Sequence, residues 1–371
     1  MRILHAIDSS GLYGAEAVLL TLAEEQRRRG DVPVILSMGG IGVGEKAIET
    51  EAQRRRIECE SMRMSDGLNF ALARRIVAVA HAQRADVIHS HGYKANILLG
   101  LLARAERELP VVTTLHGWTA KRTFSKLGLY RFLDQRVLSR LDGVVLVNDA
   151  MRRVRAVARL DPPAVTIPNG IAPAGELETP DPSVADSVAR LRAHCSLVLG
   201  VVGRLSPEKN VAGLVAALAD LGRDARVGLA ILGAGPERAR IEADIARHGL
   251  SGRVVLAGYV ANARATLPLL DALVIPSFTE GLPMILLESL VAGLPVIATR
   301  VGDIPAVLAD DGVLVPPGNC AALADGLRTV AGDLPGARER ARRAALRVGR
   351  DYSAATMAER YDRVYEMAVN R

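Results

Sequence analysis

Aromatic residues are scarce in this chain, with one tryptophan, four phenylalanines and seven tyrosines among 371 residues. With so few rings the core must be aliphatic, and 49% of the residues are hydrophobic. Cores of Ala, Val, Leu and Ile suit parallel sheets covered by helices, whose buried strands read as short apolar runs. The same scarcity of rings, together with the lack of an RNA-binding signature, ranks a nucleic-acid-binding role a distant third among the functions weighed below. Cysteine is scarce too. Cys59, Cys195 and Cys320 stand far apart without pairing or metal spacing, and read as reduced structural thiols of a cytoplasmic protein. No apolar run approaches the length that spans a bilayer. The opening MRILHAIDSS reads as a strand running into a turn, too briefly apolar for a signal peptide. The expectation is a soluble protein, or one bound at most to the inner membrane face.

What is present is charge with a basic excess, formally +6. That balance points to anionic partners such as phosphates or an anionic membrane, and carries no information about fold. The length exceeds one ordinary core and accommodates two domains. In the first half, apolar runs at residues 3–7, 32–36, 87–89, 111–115, 144–147 and 165–167 alternate with helical patterns. Around residues 168–182 the pattern breaks into PNGIAPAGELETPDP, which reads as a linker. A second alternating series follows from Leu197 to Val315, and the chain closes in helices. The expected architecture is α/β, with two successive doubly wound, Rossmann-like domains and a cleft between them. The boundaries read as residues 1–168, a linker over 169–195, a second domain over 196–350, and a C-terminal helix over 351–371 that packs back on the first domain.

Three segments carry candidate chemistry. Gly11-Leu12-Tyr13-Gly14-Ala15-Glu16 leaves the first strand and opens a helix, where glycines permit a tight turn and free N–H groups attract phosphate. Read alone, it is as well explained as a plain strand-to-helix turn. Gly203-Arg204-Leu205-Ser206-Pro207-Glu208-Lys209-Asn210 also leaves a strand. Arg204 can grip two phosphate oxygens and Lys209 can add a mobile charge; the bland alternative is a pair of solvated loop cations. The third, Glu280-Gly281-Leu282-Pro283-Met284-Ile285-Leu286-Leu287-Glu288, sets one carboxylate on a loop and another in an apolar helix. Glu288 is costly to bury without a partner, which could be a ligand or a structural ion pair. His89-Ser90-His91 share a strand face two at a time, but only two such ligands are visible and no nearby Cys or carboxylate completes a metal set. No metal is expected. Acceptor contact or packing by His91 is the better reading.

In their order, GRLSPEKN, ILGAGPE, GYV, PSFTEGLPMILLES and AGLPVIAT resemble the GT-B glycosyltransferases, specifically the large retaining family 4, and the resemblance covers nearly the whole chain. It implies a donor site in the C-terminal half that takes a nucleotide diphosphate sugar, UDP-linked first and GDP-linked next. Glu280 then contacts the donor sugar, Glu288 holds the ribose, and Arg204 and Lys209 take the diphosphate. The base is held near Tyr259 and Val260, with Gly203, Gly233, Gly235 and the turn Gly281, Leu282, Pro283, Met284 and Ile285 lining the donor. In the first domain, His116 of VTTLHGW faces the donor sugar and Gly14 retains the glycine-rich turn. Tyr13 stands where a second glycine is common, on the acceptor side with His91. Asp303, Ala306 and Asn148 also depart from the family pattern. No cofactor is implied, since the Arg/Lys pair serves where an Asp-x-Asp pattern would hold a metal.

The implied reaction is retaining transfer to a hydroxyl of a sugar, lipid-linked or small-molecule acceptor, in polysaccharide or glycolipid synthesis. Arg204 and Lys209 stabilise charge on the departing phosphate, which itself accepts the acceptor's proton, while Glu280 and His116 orient the sugar. A nucleotide-sugar 2-epimerase of the same fold is the main alternative. Arginine clusters at 27–29, 54–56, 74–75 and 152–155, and the basic segment Lys121–Arg140 with its apolar stripe Phe124, Leu127, Leu133 and Val137, suit an anionic membrane surface as well as ordinary solvated helix faces. Sedimentation with anionic and with neutral vesicles separates these: membrane docking gives salt-sensitive binding to the anionic vesicles, and its absence retires the idea.

Overall fold

Short apolar runs flanked by turn residues become parallel strands, and the amphipathic segments between them cover the two faces. The computed structural model describes residues 1–9, 11–12, 14–65, 70–116, 126–161, 164–172, 179–222 and 224–371. The chain divides into two units, Met1–Gly170 with Tyr352–Arg371, and Ile171–Asp351.

The first unit holds seven strands: β1 (Arg2–Ile7), β2 (Val32–Gly40), β3 (Glu58–Met64), β4 (Val87–His91), β5 (Val111–Leu115), β6 (Gly143–Leu146) and β7 (Val165–Thr166). Their order is β3-β2-β1-β4-β5-β6-β7, and all pairs run parallel. The second unit holds β8 (Leu197–Val202), β9 (Val227–Leu232), β10 (Val254–Gly258), β11 (Ala272–Ile275), β12 (Val296–Thr299) and β13 (Val313–Val315). Here the order is β10-β9-β8-β11-β12-β13, again parallel throughout. Each sheet reverses its winding beside its first strand, between β1 and β4 and between β8 and β11. Ligands of open α/β sheets bind beyond the carboxyl ends of the strands at such a switch point.

Strand alternation sends Leu4 and Ala6 into one buried cluster with Ile88 and Leu98, and Ile7 into another with Leu19 and Ile35. His5 points the same way as Ile7. It lies directly opposite His89 in the register, and Ile7 lies opposite His91. The helix Ala354–Val369, capped by Ser353, packs on β4, β5 and β6 and buries Tyr361 and Tyr365.

The structure changes three details of the sequence reading. The segment read as linker through residue 195 contains the helix Pro182–Arg192, started by an Asp181 side chain that accepts from the Ser183 N–H. Val184, Val188 and Leu191 bury its apolar face, and the helix packs against β8, β9 and β10. β3 escaped notice because it is an edge strand whose sequence, ECESMRM, mixes polar and apolar residues without a run. Many clustered arginines are engaged with carboxylates, as in Arg28–Glu25, Arg29–Asp362, Arg55–Glu24 and Arg152–Asp149. Phe124 and residues 121–123 lie outside the described residues, while Leu129 and Phe132 are exposed on the helix Lys126–Val137. Among the described residues no helix is long and apolar enough to cross a membrane.

Candidate active site

At the carboxyl end of β8 the backbone turns through Gly203, with φ +150°, into Arg204 and then the short turn Pro207–Lys209. Asn210 follows in the left-handed region, and its side-chain amide donates to the Pro276 carbonyl at 3.1 Å, tying this loop to the end of β11. A second tie runs from the Phe278 N–H to the Glu208 carbonyl at 2.8 Å. These bonds bring the Lys209 ammonium to 2.7 Å from Glu280 Oε1. The Ser277 hydroxyl donates to the same carboxylate oxygen at 2.6 Å. Glu280 is nearly buried, at 9% side-chain exposure, while Lys209 retains 28%. A small pocket opens over this pair, lined by Gly203, Arg204, Lys209, Ser277, Glu280 and Ile285.

The floor of the site is backbone packed on backbone. A Cβ at Gly233 would stand 1.8 Å from the Gly203 carbonyl oxygen, so no other residue fits there without moving the strand ends. Its N–H donates to the Gly258 carbonyl at 2.6 Å, aligning the ends of β8, β9 and β10. Tyr259, just beyond β10, is 57% exposed, and Val260 beside it is half-buried. On the other side Gly302, at φ +54°, lies where a Cβ would meet the Glu280 carbonyl at 2.3 Å. The Asp303 N–H donates to the Gly281 carbonyl at 3.1 Å, so the residue that departs from the family pattern keeps the turn held through its backbone.

From this turn, Gly281, Leu282 and Pro283 lead into the helix Met284–Val291, whose N-terminus has no side-chain cap. Its first-turn N–H groups, including those of Met284 and Ile285, form a ready place for an anion. Glu288 is half-buried in that helix, and burial raises its carboxyl above the ordinary range, opposed by the positive charge of Arg264. Arg264 and Ser277 were not singled out from the sequence. Ser277 lies three residues before Glu280 within PSFTEG, so proximity could have flagged it; Arg264 reaches Glu288 only through the fold.

In the first unit, Gly14 begins the helix Gly14–Arg28, and a Cβ there would meet nothing within 4 Å. Tyr13 lies outside the described residues. Asn148 accepts from the Met151 N–H at 3.2 Å and so caps the short turn Asp149–Arg153, a task a serine could share. His116 follows β5, half-buried, with its Nε2 2.9 Å from His91 Nδ1. His91, expected on the acceptor side or in packing, is 5% exposed, with its other nitrogen 3.0 Å from His5 Nδ1. Both ring nitrogens being taken, it serves the interior rather than an acceptor surface. The expectation that His89 and His91 lack a third companion is also corrected, since ring nitrogens of His5, His89 and His91 lie within 4.8 Å of one another. Strand pairing supplies the missing member from a distant part of the chain.

Models of two families match the chain: Glycosyltransferase Family 4 over residues 13–174 and Glycosyl transferases group 1 over residues 196–333. The D-inositol 3-phosphate glycosyltransferase of Kribbella flavida is 30% identical over 297 residues, 70% of this chain and 66% of that one. The 2-deoxystreptamine glucosyltransferase of Streptomyces kanamyceticus is 37% identical over 143 residues, 37% of this chain and 36% of its own length. Among solved structures, Anabaena HepE in complex with UDP-glucose superposes with a TM-score of 0.81 at 22% identity, covering 99% of both chains. That likeness shows a GT-B fold of two Rossmann-like domains.

Burial lowers the His5 pKa from 6.5 to about 4, although its bond to Gln26 opposes the shift. Below pH 6.5 the unfolded chain therefore binds a proton that the folded unit refuses until about pH 4. Stability is complete above pH 6.5 and falls as pH drops through that window, by ~1.4 kcal/mol per pH unit for this one histidine. Urea unfolding at pH 6.5 and pH 5 is expected to show a loss of ~2 kcal/mol or more, because His89 and His91 are lowered in the same direction. Constant stability across that window would contradict the buried, neutral histidines.

Proposed function

The chain belongs to the group 1, family 4 glycosyltransferases, and we propose that it moves a sugar from a nucleotide diphosphate sugar to a hydroxyl acceptor with retention of configuration. The observation that carries this reading is the meeting of Arg204, Lys209 and Glu280 around one pocket at the switch point of the second sheet. Two cations beside one carboxylate leave a net positive charge where a diphosphate can bind. A guanidinium supplies paired donors and the ammonium a mobile charge, so together they suit phosphate oxygens that gain charge as the glycosidic bond breaks.

Each remaining residue takes a part its surroundings allow. Glu280, held by Ser277 and Lys209, is oriented toward the sugar and stabilises positive character at the anomeric carbon. Glu288, whose carboxyl burial makes reluctant to ionise, gains hydrogen bonds from ribose hydroxyls. Tyr259 and Val260 offer backbone and an exposed ring to the base, and the uncapped helix start at Met284 and Ile285 faces phosphate. In the first unit His116 offers a sugar contact and Gly14 leaves room for a ligand against its backbone. The acceptor hydroxyl attacks the anomeric carbon from the face that the phosphate leaves, and the departing phosphate oxygen takes its proton. UDP is the favoured nucleotide, GDP the next; HepE is recorded with UDP and UDP-glucose, and the inositol phosphate and deoxystreptamine relatives bear names of transferases to hydroxylated rings.

Two measurements check this. Thermal shift against UDP-, GDP- and ADP-sugars is expected to give the largest rise in midpoint with a UDP-sugar, by preferential binding to the folded chain. Arg204→Ala and Lys209→Ala are each expected to lower kcat by about a hundredfold or more, the usual scale for removing a group that stabilises developing charge. Turnover within a few-fold of the parent in both variants would refute the assignment.

A further inference from the structure

Four polar side chains in the first unit stand end to end. Gln26 Oε1 lies 2.9 Å from His5 Nε2, His5 Nδ1 lies 3.0 Å from His91 Nε2, and His91 Nδ1 lies 2.9 Å from His116 Nε2. Gln26 and His5 are fully buried and His91 nearly so. A bond between two ring nitrogens holds one proton, and a neutral imidazole carries one N–H and one lone pair. Once the first ring is set, every later ring is set with it.

The direction is decided at the buried end. The Gln26 amide N–H donates to the Tyr365 hydroxyl at 3.2 Å, which leaves its carbonyl oxygen to accept from His5 Nε2–H. His5 Nδ1 is then bare and accepts from His91 Nε2–H; His91 Nδ1 accepts from His116 Nε2–H. The Tyr365 hydroxyl, accepting from Gln26, is free to donate to His89 Nδ1 at 2.8 Å, and His89 Nε2–H donates to Thr114 Oγ1 at 2.8 Å. These bonds also occupy ring nitrogens that a metal at the histidine cluster would take. A metal at His5, His89 and His91 would need three bare nitrogens turned to one point, whereas His89 spends both of its own on Tyr365 and Thr114, and His5 and His91 spend one each on each other.

We propose that Gln26 and His5, acting through His91, are positioning residues that hold His116 as its Nε2–H tautomer, so that its Nδ1 presents a lone pair to a sugar hydroxyl. This rests on the sugar contact assigned to His116 above, and it adds a requirement. The sugar must offer an O–H donor at that point, and a deoxy or O-methyl sugar that cannot donate is disfavoured. The reversed array, with the Gln26 amide N–H donating to His5, would present His116 Nδ1–H and call for an acceptor instead. Breaking the array by removing Gln26 leaves both directions open and costs the site its fixed polarity.

The test is the tautomer itself, read in the full chain carrying ¹⁵N-labelled histidine, with the His116 signals assigned by loss in His116→Gln. At neutral pH the wild type is expected to show His116 with Nε2 protonated and Nδ1 bare. A protonated Nδ1, or a mixture of tautomers, overturns the proposal. So does a stoichiometric metal whose removal by a chelator shifts the His5 and His91 signals. Gln26→Leu is expected to convert His116 to a mixture and to lower kcat/KM for the donor about tenfold, the scale of one hydrogen-bond contact. His91→Asn, which restores an acceptor facing His116, is expected to keep more of the Nε2–H form than His91→Leu. An unmoved tautomer in both Gln26→Leu and His91→Leu removes the positioning role. Because the tautomer is read without substrate, a His116→Ala variant with full turnover would sink the sugar contact while leaving the array intact.

Discussion

The proposed donor site of the second unit depends on one ion pair, Lys209 with Glu280, at 2.7 Å. A carboxylate as little exposed as that of Glu280 needs a partner and hydrogen bonds. Ser277 provides the second bond to Glu280, and the Asn210 side-chain and Phe278 backbone ties between the loops after β8 and β11 fix the distance. The pair thus keeps a cation beside the pocket while no anion is there. In the proposed function an arriving diphosphate meets an ammonium already placed, and the carboxylate is left for the sugar.

That geometry is possible because the strand ends meet without side chains between them. Gly233 against Gly203, and Gly302 against Glu280, are contacts of backbone on backbone. They draw three strand ends and the Glu280 turn to a common rim. The other unit solves a related problem with polar side chains. Where its sheet would place apolar residues under the final helix, it places His5, His89 and Thr114, which join two tyrosines of that helix and one another. Satisfied networks of this kind hold a single arrangement, whereas a half-satisfied one would be worse than an apolar core.

Much of this was legible in the sequence, for physical reasons. Parallel strands buried on both faces leave short aliphatic runs, so most of both sheets could be read directly. Arg204, Lys209, Glu280 and Glu288 stand in local motifs whose order resembles a known family, and the fold brings the first three of them to one pocket. The rest depended on contacts between distant segments. An edge strand such as β3 has no apolar run to betray it, and the Asp181-Pro182 helix start was hidden by the Pro- and Gly-rich stretch before it. His5 could not be joined to His89 without the strand order, and Tyr361 and Tyr365 reach that cluster from the far end of the chain. For the same reason His91, read from its neighbour two residues away as an acceptor contact or a packing residue, could not be seen to join His5 and His116.

The central claim is that Lys209 supplies the charge that holds the donor diphosphate, with Glu280 as its resting partner. Calorimetric titration of UDP into the wild type, Lys209→Met and Glu280→Gln tests this most directly. The expected result is at least about tenfold weaker UDP binding in Lys209→Met, from the loss of a charge-assisted contact, and undiminished binding in Glu280→Gln, which removes a competing negative charge. Equal affinity in Lys209→Met and the wild type, or a loss in Glu280→Gln as large as in Lys209→Met, would contradict it.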